Sequence, residues 1–166
     1  MQRESWRSHL LKRAAVMLPW ACALAFSCAV ASPKTVERFD ASTWARMQEQ
    51  LPRPAAVVFT ATYCANCPVL IGHLAETLRQ RGLLQRVVAV VIDAADNEEL
   101  LKSEHYESAS QLFAFDGDEA RLRYGIDPRW RGVTPYVALL GTQSKVLFVA
   151  GTPSKAQIDA WLGANP

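Results

Sequence analysis

Cysteine is scarce in this chain of 166 residues, and its four cysteines are unevenly placed. Cys22 and Cys28 lie in an apolar N-terminal stretch, whereas Cys64 and Cys67 stand close together in the middle of the chain. Beyond residue 31 the sequence therefore lacks a structural disulfide framework and the second cysteine pair of a four-thiolate zinc site. Pro68 follows Cys67 where a c-type haem attachment motif has a histidine, which excludes that motif as well.

The sequence also lacks a strong excess of either charge. It has 18 Lys and Arg against 16 Asp and Glu, and four of the basic residues fall within the first 13 positions. The remainder is close to neutral, so there is no electrostatic basis for binding nucleic acid. Half of the residues are hydrophobic, which is enough to form the core of one globular domain.

The N-terminus has the pattern of an export signal. A basic segment precedes a small-residue apolar stretch over 14–31, whose last residues, Ala29-Val30-Ala31, fit a small-x-small cleavage site. We therefore predict a signal peptide over 1–31 and an exported, periplasmic domain over 32–166. The alternative is an uncleaved inner-membrane anchor through the same apolar stretch, which is at the short end of the length that spans a bilayer.

Cys64 and Cys67 form a CxxC pair at the junction of two predicted elements. An apolar run, Ala55–Thr60, predicts a buried strand, and the pattern over 69–81 predicts a helix. Such a pair is most often redox-active. We expect Cys64 on the first turn of the helix, where free N–H groups and the helix dipole stabilise a thiolate. Cys67 is expected on the same helical face, as the more buried resolving thiol.

The rest of the sequence predicts an α/β domain. Residues 87–93 are a second continuous apolar run, so strand, helix and strand make a right-handed βαβ unit with parallel strands. Residues 93–117 are interpreted as one or two helices that cover a face of the sheet. A strand over 133–140 begins with a proline, a hairpin returns through 145–150, and residues 154–162 predict a capped final helix.

This order of elements resembles the thioredoxin superfamily over residues 55–162. The resemblance depends on the CxxC pair together with Thr134-Pro135 about 70 positions later. It implies a thioredoxin-like three-layer α/β/α sandwich with a mixed sheet of four to five strands. Relative to this pattern, the predicted helical stretch after Asp93 is an insertion after the second strand of the βαβ unit. It also implies a cis peptide before Pro135, and substrate contacts through Tyr63, Ala65, Asn66, the Thr134 backbone and Pro135.

Several positions depart from the thioredoxin pattern. Val58 stands where thioredoxins carry a buried Asp six residues before the first cysteine, and Ala89 stands where its Lys partner is found. Tyr63 replaces the usual Trp, and Asn66 is not the His of strong oxidants. The resemblance therefore implies that deprotonation of Cys67 relies on water or on substrate.

Two tryptophans have both a packing and a substrate-binding interpretation. Trp44 lies in a predicted short helix over 40–47, and its spacing from Met47 favours packing on the sheet. Trp130 lies in the loop 128–131, an addition just before the proline strand. It either flanks the redox site in contact with substrate or anchors the loop by packing.

The CxxC pair and the resemblance predict an exported thiol–disulfide oxidoreductase, in which Cys64 attacks a disulfide and Cys67 resolves the mixed disulfide. The missing His at Asn66 favours a reductase over an oxidase. We expect envelope protein thiols and disulfides as partners, a membrane electron donor or acceptor, no cofactor, no metal, no nucleic acid and a monomeric protein. The alternatives are a metallochaperone that holds a soft ion such as Cu(I), and a redox-inert partner-binding module.

Overall fold

The protein is described here from a computed structural model. The residues that the structure describes are 35–83, 86–94, 101, 104–143 and 145–163. The predicted signal peptide and its alternative, a membrane anchor, lie outside these residues. Within them, no helix is long and apolar enough to cross a bilayer.

The described residues form one six-stranded mixed sheet with helices on both faces. The strands are β1 (Val36–Phe39), β2 (Ala55–Thr60), β3 (Val87–Val91), β4 (Gln111–Phe115), β5 (Tyr136–Leu140) and β6 (Val146–Ala150). The described α-helices are α1 (Thr43–Gln50), α2 (Cys67–Arg79), α3 (Glu119–Ile126) and α4 (Lys155–Trp161), and a 3₁₀ turn spans Glu104–Tyr106. The strand order is β1-β4-β3-β2-β5-β6. Strands β1, β4, β3 and β2 are parallel to one another. Strand β5 pairs antiparallel with β2, and β6 pairs antiparallel with β5.

The interpretation of residues 93–117 as helices is wrong at the C-terminal end of this segment. Gln111–Phe115 is strand β4, which pairs in parallel with β3 on one side and with β1 on the other. A short apolar run does not distinguish a strand from a buried helix by periodicity, and here the aromatic residues were the better signal. The sheet therefore has six strands rather than four to five. Residues 95–100 and 102–103 of the predicted helical insertion lie outside the described residues.

The buried strands alternate between two helical layers. In β2, Ala56 and Val58 face α2 and α4, whereas Val57 and Phe59 face α1 and α3. Strands buried on both faces read as continuous apolar runs, which is why β2, β3 and β5 could be found in the sequence. The predicted three-layer α/β/α sandwich, with its mixed central sheet, is confirmed.

The two faces of the sheet have different chemistry. The face under α2 and α4, which we call the aliphatic face, is built from Ala, Val, Leu and Ile, with Tyr106 and Trp161 at its margins. The face under α1 and α3, which we call the aromatic face, collects most of the buried rings: Phe39, Trp44, Phe59, Phe113, Phe115, Trp130 and Tyr136. Trp44 packs against Phe59 with ring centroids 6.0 Å apart, so its packing interpretation describes it.

The strand register brings three chain segments to one edge of the sheet. Phe59 of β2 pairs with Tyr136 of β5, so Pro135 lies beside the end of β2 that leads to the cysteines. The amide of Ile92 donates to the Thr60 carbonyl at 2.9 Å, which extends the pairing of β2 with β3 to the same edge. Ligand sites of α/β sheets form at the carboxyl ends of parallel strands, and this edge is such a place.

Candidate redox site

The two central cysteines are joined in the structure. Cys64 and Cys67 form a disulfide, with an S–S distance of 1.98 Å and Cα atoms 5.5 Å apart. This disulfide lies between the end of β2 and the start of α2. The structure therefore shows the oxidised state of a CxxC pair at the position where the sequence predicts a redox site.

The expected position of Cys64 on the first helical turn is wrong. Helix α2 begins at Cys67, with Asn66 as its N-cap and Pro68 in its first turn, so Cys64 lies ahead of the helix. The two cysteines share a turn instead of a helical face, since the Cys67 amide donates to the Cys64 carbonyl at 3.2 Å. Pro68 lacks an N–H and is favoured in a first turn, which fixes the start of the helix near Cys67. The positive end of the helix dipole still points toward the disulfide.

The two sulfur-bearing residues differ in exposure. Cys64 is half-buried and packs against the aromatic face, whereas Cys67 is fully buried. The side chains beside them point outward: Tyr63 is 76% exposed, and Ala65 and Asn66 are exposed. An incoming disulfide therefore has access to Cys64 and not to Cys67.

Asp93 holds the loop that leads to Cys64. It follows β3, and its carboxylate accepts the Thr62 amide at 2.8 Å through Oδ1 and the Thr62 hydroxyl at 2.6 Å through Oδ2. The amide of Cys64 donates to the Ala61 carbonyl at 3.0 Å, which closes the turn. The sequence analysis did not single out Asp93. A carboxylate at the carboxyl end of a parallel strand beside the CxxC strand is the signal that could have found it.

Pro135 lies at the head of β5 beside this loop. The Thr134–Pro135 peptide bond is cis, as is Arg53–Pro54 at the opposite end of the sheet. Pro135 is buried, and its carbonyl accepts the Gly151 amide at 2.8 Å. Thr134 is half-buried at the surface of the site. The structure thus brings Thr134 and Pro135 to the same edge as Cys64, as the register requires.

Trp130 has the position that the packing interpretation predicts. Its side chain is 4% exposed and stacks on Tyr136, with ring centroids 4.7 Å apart and planes 7° apart. Phe59 lies 5.0 Å away on another side, and the indole Nε1 donates to the Val133 carbonyl at 2.9 Å. The ring is therefore part of the aromatic face and does not offer a surface to substrate in this conformation.

Asp127 is a buried carboxylate that the sequence analysis missed. Its Oδ2 accepts the Tyr136 hydroxyl at 2.6 Å, and Arg129 donates to it through its amide, Nε and Nη2 at 3.0–3.1 Å. These bonds, first those of the Arg129 side chain and then that of Tyr136, lower the pKa of Asp127 from 3.8 to about 2. Burial first, and then the bond to Asp127, raise the pKa of Tyr136. The Asp-Pro pair in a turn was its sequence signal.

The positions of the missing thioredoxin relay are apolar in the structure as well. Val58 and Ala89 are direct neighbours across β2 and β3, and both are fully buried on the aliphatic face. Among the described residues, no three His, Cys, Asp or Glu side chains are grouped so that they could hold a metal ion. The described part of the site therefore consists of the two cysteine sulfurs, the N-terminal end of α2, the proline strand and two carboxylates. Thr62 donates hydrogen bonds to the carboxylate of Asp93, and Tyr136 and the surface residue Arg129 donate to that of Asp127.

No family model matches the sequence, and neither does any protein in the curated set. Among solved structures, the chain is similar to a thio-disulfide isomerase from Thermus thermophilus, with 18% identity, 70% of this chain and 82% of that chain covered, and a TM-score of 0.48. It is also similar to MTB dsbF, with 15% identity, coverage of 70% and 84%, and a TM-score of 0.48.

A third similar structure is a secreted Mycobacterium tuberculosis disulfide oxidoreductase, with 13% identity, coverage of 67% and 81%, and a TM-score of 0.46. The chain itself contains a βαβ unit, a CxxC disulfide at the first junction of that unit, a proline strand antiparallel to it, and a closing hairpin and helix. The protein has a thioredoxin-like fold.

Proposed function

We propose that this protein is an exported thiol–disulfide oxidoreductase and that it acts as a reductase of protein disulfides. The observation that carries the proposal is the disulfide between a half-exposed Cys64 and a fully buried Cys67 at the start of α2. This is the asymmetry that a nucleophile and a resolving thiol need, because the first must reach a substrate and the second must not.

The reaction transfers two electrons from the dithiol to a substrate disulfide. The Cys64 thiolate attacks one substrate sulfur, the substrate S–S bond breaks, and the released substrate thiolate takes up a proton. Cys67 then loses its proton and attacks the Cys64 sulfur, which releases the second substrate thiol and leaves the Cys64–Cys67 disulfide. A dithiol protein, which we place in the membrane, must reduce this disulfide again before the next turnover.

The direction is supported by the chemistry around the sulfurs. Residue 66, directly before Cys67, is Asn and not His, so no imidazolium at this position stabilises the reduced thiolate. The carboxylate of Asp93 is hydrogen-bonded to Thr62, two residues before Cys64 in the sequence. Its negative charge disfavours a second negative charge on a thiolate nearby. Both features favour the disulfide over the thiolate, which is the property of a reductant.

The test measures reduction of insulin disulfides by the reduced full chain. We expect turnover with the wild type, and loss of at least ~100-fold in Cys64→Ser because the nucleophile is gone. The double variant Cys22→Ser, Cys28→Ser is the matched control, since it removes the other two cysteines and should keep the rate. Retained activity in Cys64→Ser would refute the proposal.

Two further measurements address the direction and the alternatives. Equilibrium with glutathione should give a potential near the thioredoxin value of about −270 mV rather than the DsbA value of about −120 mV. Protein purified under reducing conditions should contain no stoichiometric copper or zinc, and a bound soft ion would instead favour the metallochaperone. A pair that does not titrate at all would favour the inert module.

Export is tested on the protein made by cells. We propose cleavage after Ala31, so mass spectrometry of the protein from the envelope fraction should show Ser32 as the N-terminal residue. Intact residues 14–31 in a membrane fraction would instead support the anchor.

A further inference from the structure

We propose that Asp127 is a positioning residue for substrate: through Tyr136 and the Trp130 loop it holds residues 133–135 in the conformation that receives a substrate chain. This inference rests on the proposed function, because it concerns how the same site binds a protein disulfide. It gives a role to the loop 128–131, which is an addition to the thioredoxin pattern.

The first part of the network is a buried charge with a short hydrogen bond to the proline strand. Asp127 is 4% exposed, and its carboxylate accepts the Tyr136 hydroxyl at 2.6 Å inside the aromatic face. Tyr136 directly follows Pro135, so this bond fixes the strand one residue beyond the cis peptide. Arg129 balances the charge from the surface, since its side chain is 82% exposed. A buried carboxylate that keeps its hydrogen bonds orders the groups around it.

The second part fixes the other end of the same segment. The Trp130 indole donates to the Val133 carbonyl at 2.9 Å, and its ring stacks on Tyr136. The Trp130 amide donates to the Asp127 carbonyl at 2.9 Å. Trp130 therefore holds Val133, the residue before Thr134, and Asp127 holds Tyr136, the residue after Pro135. The Trp130 ring also stacks on the Tyr136 ring, which links the two attachments.

Thr134 lies between these two attachments with its backbone available. Within the described part of the chain, Thr134 takes part in none of the hydrogen bonds found, whereas Pro135 and Val133 both accept one. A segment held at both ends with an unpaired peptide group between them suits β-type pairing with an extended chain. Fixing it before binding lowers the entropy that a substrate must overcome.

Buried hydrogen bonds at the two ends of β5 provide a matched pair of variants. Trp130→Phe removes an indole bond to the Val133 carbonyl at the site. Trp161→Phe removes an indole bond to the Leu140 carbonyl, 3.1 Å long, at the far end of the same strand. Both residues are 4% exposed, so the two variants lose a similar group in a similar environment. Tyr136→Phe removes the bond to Asp127 and keeps the ring.

The experiment compares insulin with a small aromatic disulfide as substrates for the reduced full chain. We expect Tyr136→Phe and Trp130→Phe to raise the KM for insulin about three- to tenfold, on the scale of one lost buried hydrogen bond, with a smaller change in kcat. The loss with the small disulfide should be smaller than with insulin, because a small molecule has no chain to pair with Thr134. Asp127→Asn, which can still accept the Tyr136 hydroxyl, should recover most of the affinity relative to Asp127→Ala.

Amide hydrogen exchange gives a second measurement that needs no activity. Exchange at Thr134 in the oxidised protein should quicken about tenfold in Tyr136→Phe and Trp130→Phe, and stay at the wild-type rate in Trp161→Phe. Unchanged exchange in the first two variants would overturn the inference, and so would faster exchange with an unchanged KM for insulin. A wild type without activity would refute the proposed function, and the exchange comparison would still decide whether the network holds the segment.

Discussion

The aliphatic and aromatic faces of the sheet differ in whether they contain a buried charge near the redox site. The aliphatic face lies under α2, the helix that begins with Cys67, and at Val58 and Ala89 it has no ionisable group. The aromatic face lies under the loop 128–131 and contains the buried carboxylate of Asp127. In the thioredoxin pattern, the buried acid stands at the position of Val58, beneath the cysteines.

This difference indicates which step the buried charge can serve. A carboxylate at position 58 could take the proton of the resolving cysteine, whereas Asp127 lies on the opposite face and bonds to the strand after Pro135. We therefore expect the proton of Cys67 to leave through water or substrate, and the buried carboxylate of Asp127 to act on binding through its hydrogen bond to Tyr136. The following predictions test that division, from the largest effect to the smallest.

The largest effect should come from placing an acid on the aliphatic face. Val58→Asp buries a carboxylate among apolar neighbours, and we expect the free energy of unfolding at pH 7 to fall by roughly 3–5 kcal/mol. Burial raises the pKa of such a carboxyl, so the deficit should shrink as the pH falls and grow as it rises through that pKa. Urea unfolding at several pH values measures this.

Two companion variants identify the cause of that loss. Val58→Thr has a similar shape without the charge and should lose only about 1–3 kcal/mol. Ala89→Lys added to Val58→Asp places an ammonium on the neighbouring strand and should recover part of the stability, because the two positions are paired in register. A Val58→Asp protein as stable as the wild type would show that this face is not closed to charge.

Removing the central ring of the aromatic face should have the next largest effect. Trp130→Ala deletes a ring that contacts Phe59 and Tyr136, and we expect a loss of about 3–5 kcal/mol in the free energy of unfolding. Chemical denaturation monitored by circular dichroism measures it. A loss below about 1 kcal/mol would show that the ring is not an anchor, and would restore the interpretation of Trp130 as a substrate contact.

A smaller effect should appear in the acid dependence of stability. The folded pKa of Asp127 is lowered to about 2 from 3.8, so its contribution is present above the unfolded value and is lost as the pH falls through 4 toward 2. We expect Asp127→Asn to flatten this part of the stability curve by about 1 kcal/mol, since the exposed Arg129 is screened by solvent.

The difference between the stability curves of the wild type and Asp127→Asn isolates the contribution of Asp127. Asp40 and Glu76 also have pKa values lowered to about 2, by hydrogen bonds from Ser42 and Arg79 respectively, and they titrate equally in both proteins. Curves that remain parallel from pH 5 to pH 2 would contradict a stabilising role of the Asp127 charge.

The smallest effect concerns the carboxylate next to the cysteine loop. Asp93→Asn removes a negative charge near Cys64, which stabilises the reduced thiolate, and we expect the potential to rise by roughly 10–20 mV. Thr62→Val is the control, because it loses the hydroxyl bond and keeps the charge, so its potential should move less. A potential that falls in Asp93→Asn would contradict the electrostatic explanation.

Local sequence patterns predicted the strands and helices that can be recognised without knowing what they pack against. The continuous apolar runs of β2, β3 and β5 and the capped final helix after residue 154 were predicted correctly, since burial on both faces and helix capping each leave a short motif. In the structure, Ser154 and Gln157 form the capping box of that helix. Strand β4 was missed because a run of five residues is too short for periodicity to distinguish a strand from a buried helix.

The site was predictable only in its sulfurs and proline. Thr62 and Asp93 are 31 positions apart, and only the parallel pairing of β2 and β3 brings them together. The bond from Tyr136 to Asp127 likewise depends on how a loop returns to the sheet. Trp130 had two interpretations that the sequence could not separate, because an aromatic residue in a loop suits both packing and binding.

Trapping of the mixed disulfide tests the central claim, that Cys64 is the attacking sulfur and Cys67 resolves. Reduced Cys67→Ser and reduced Cys64→Ser, each also lacking Cys22 and Cys28, would be mixed with an oxidised protein substrate and analysed by mass spectrometry without reductant. The account predicts a stable adduct through Cys64 in the first variant and none above background in the second. An adduct through Cys67 in the second variant, or equal amounts in both, would contradict it.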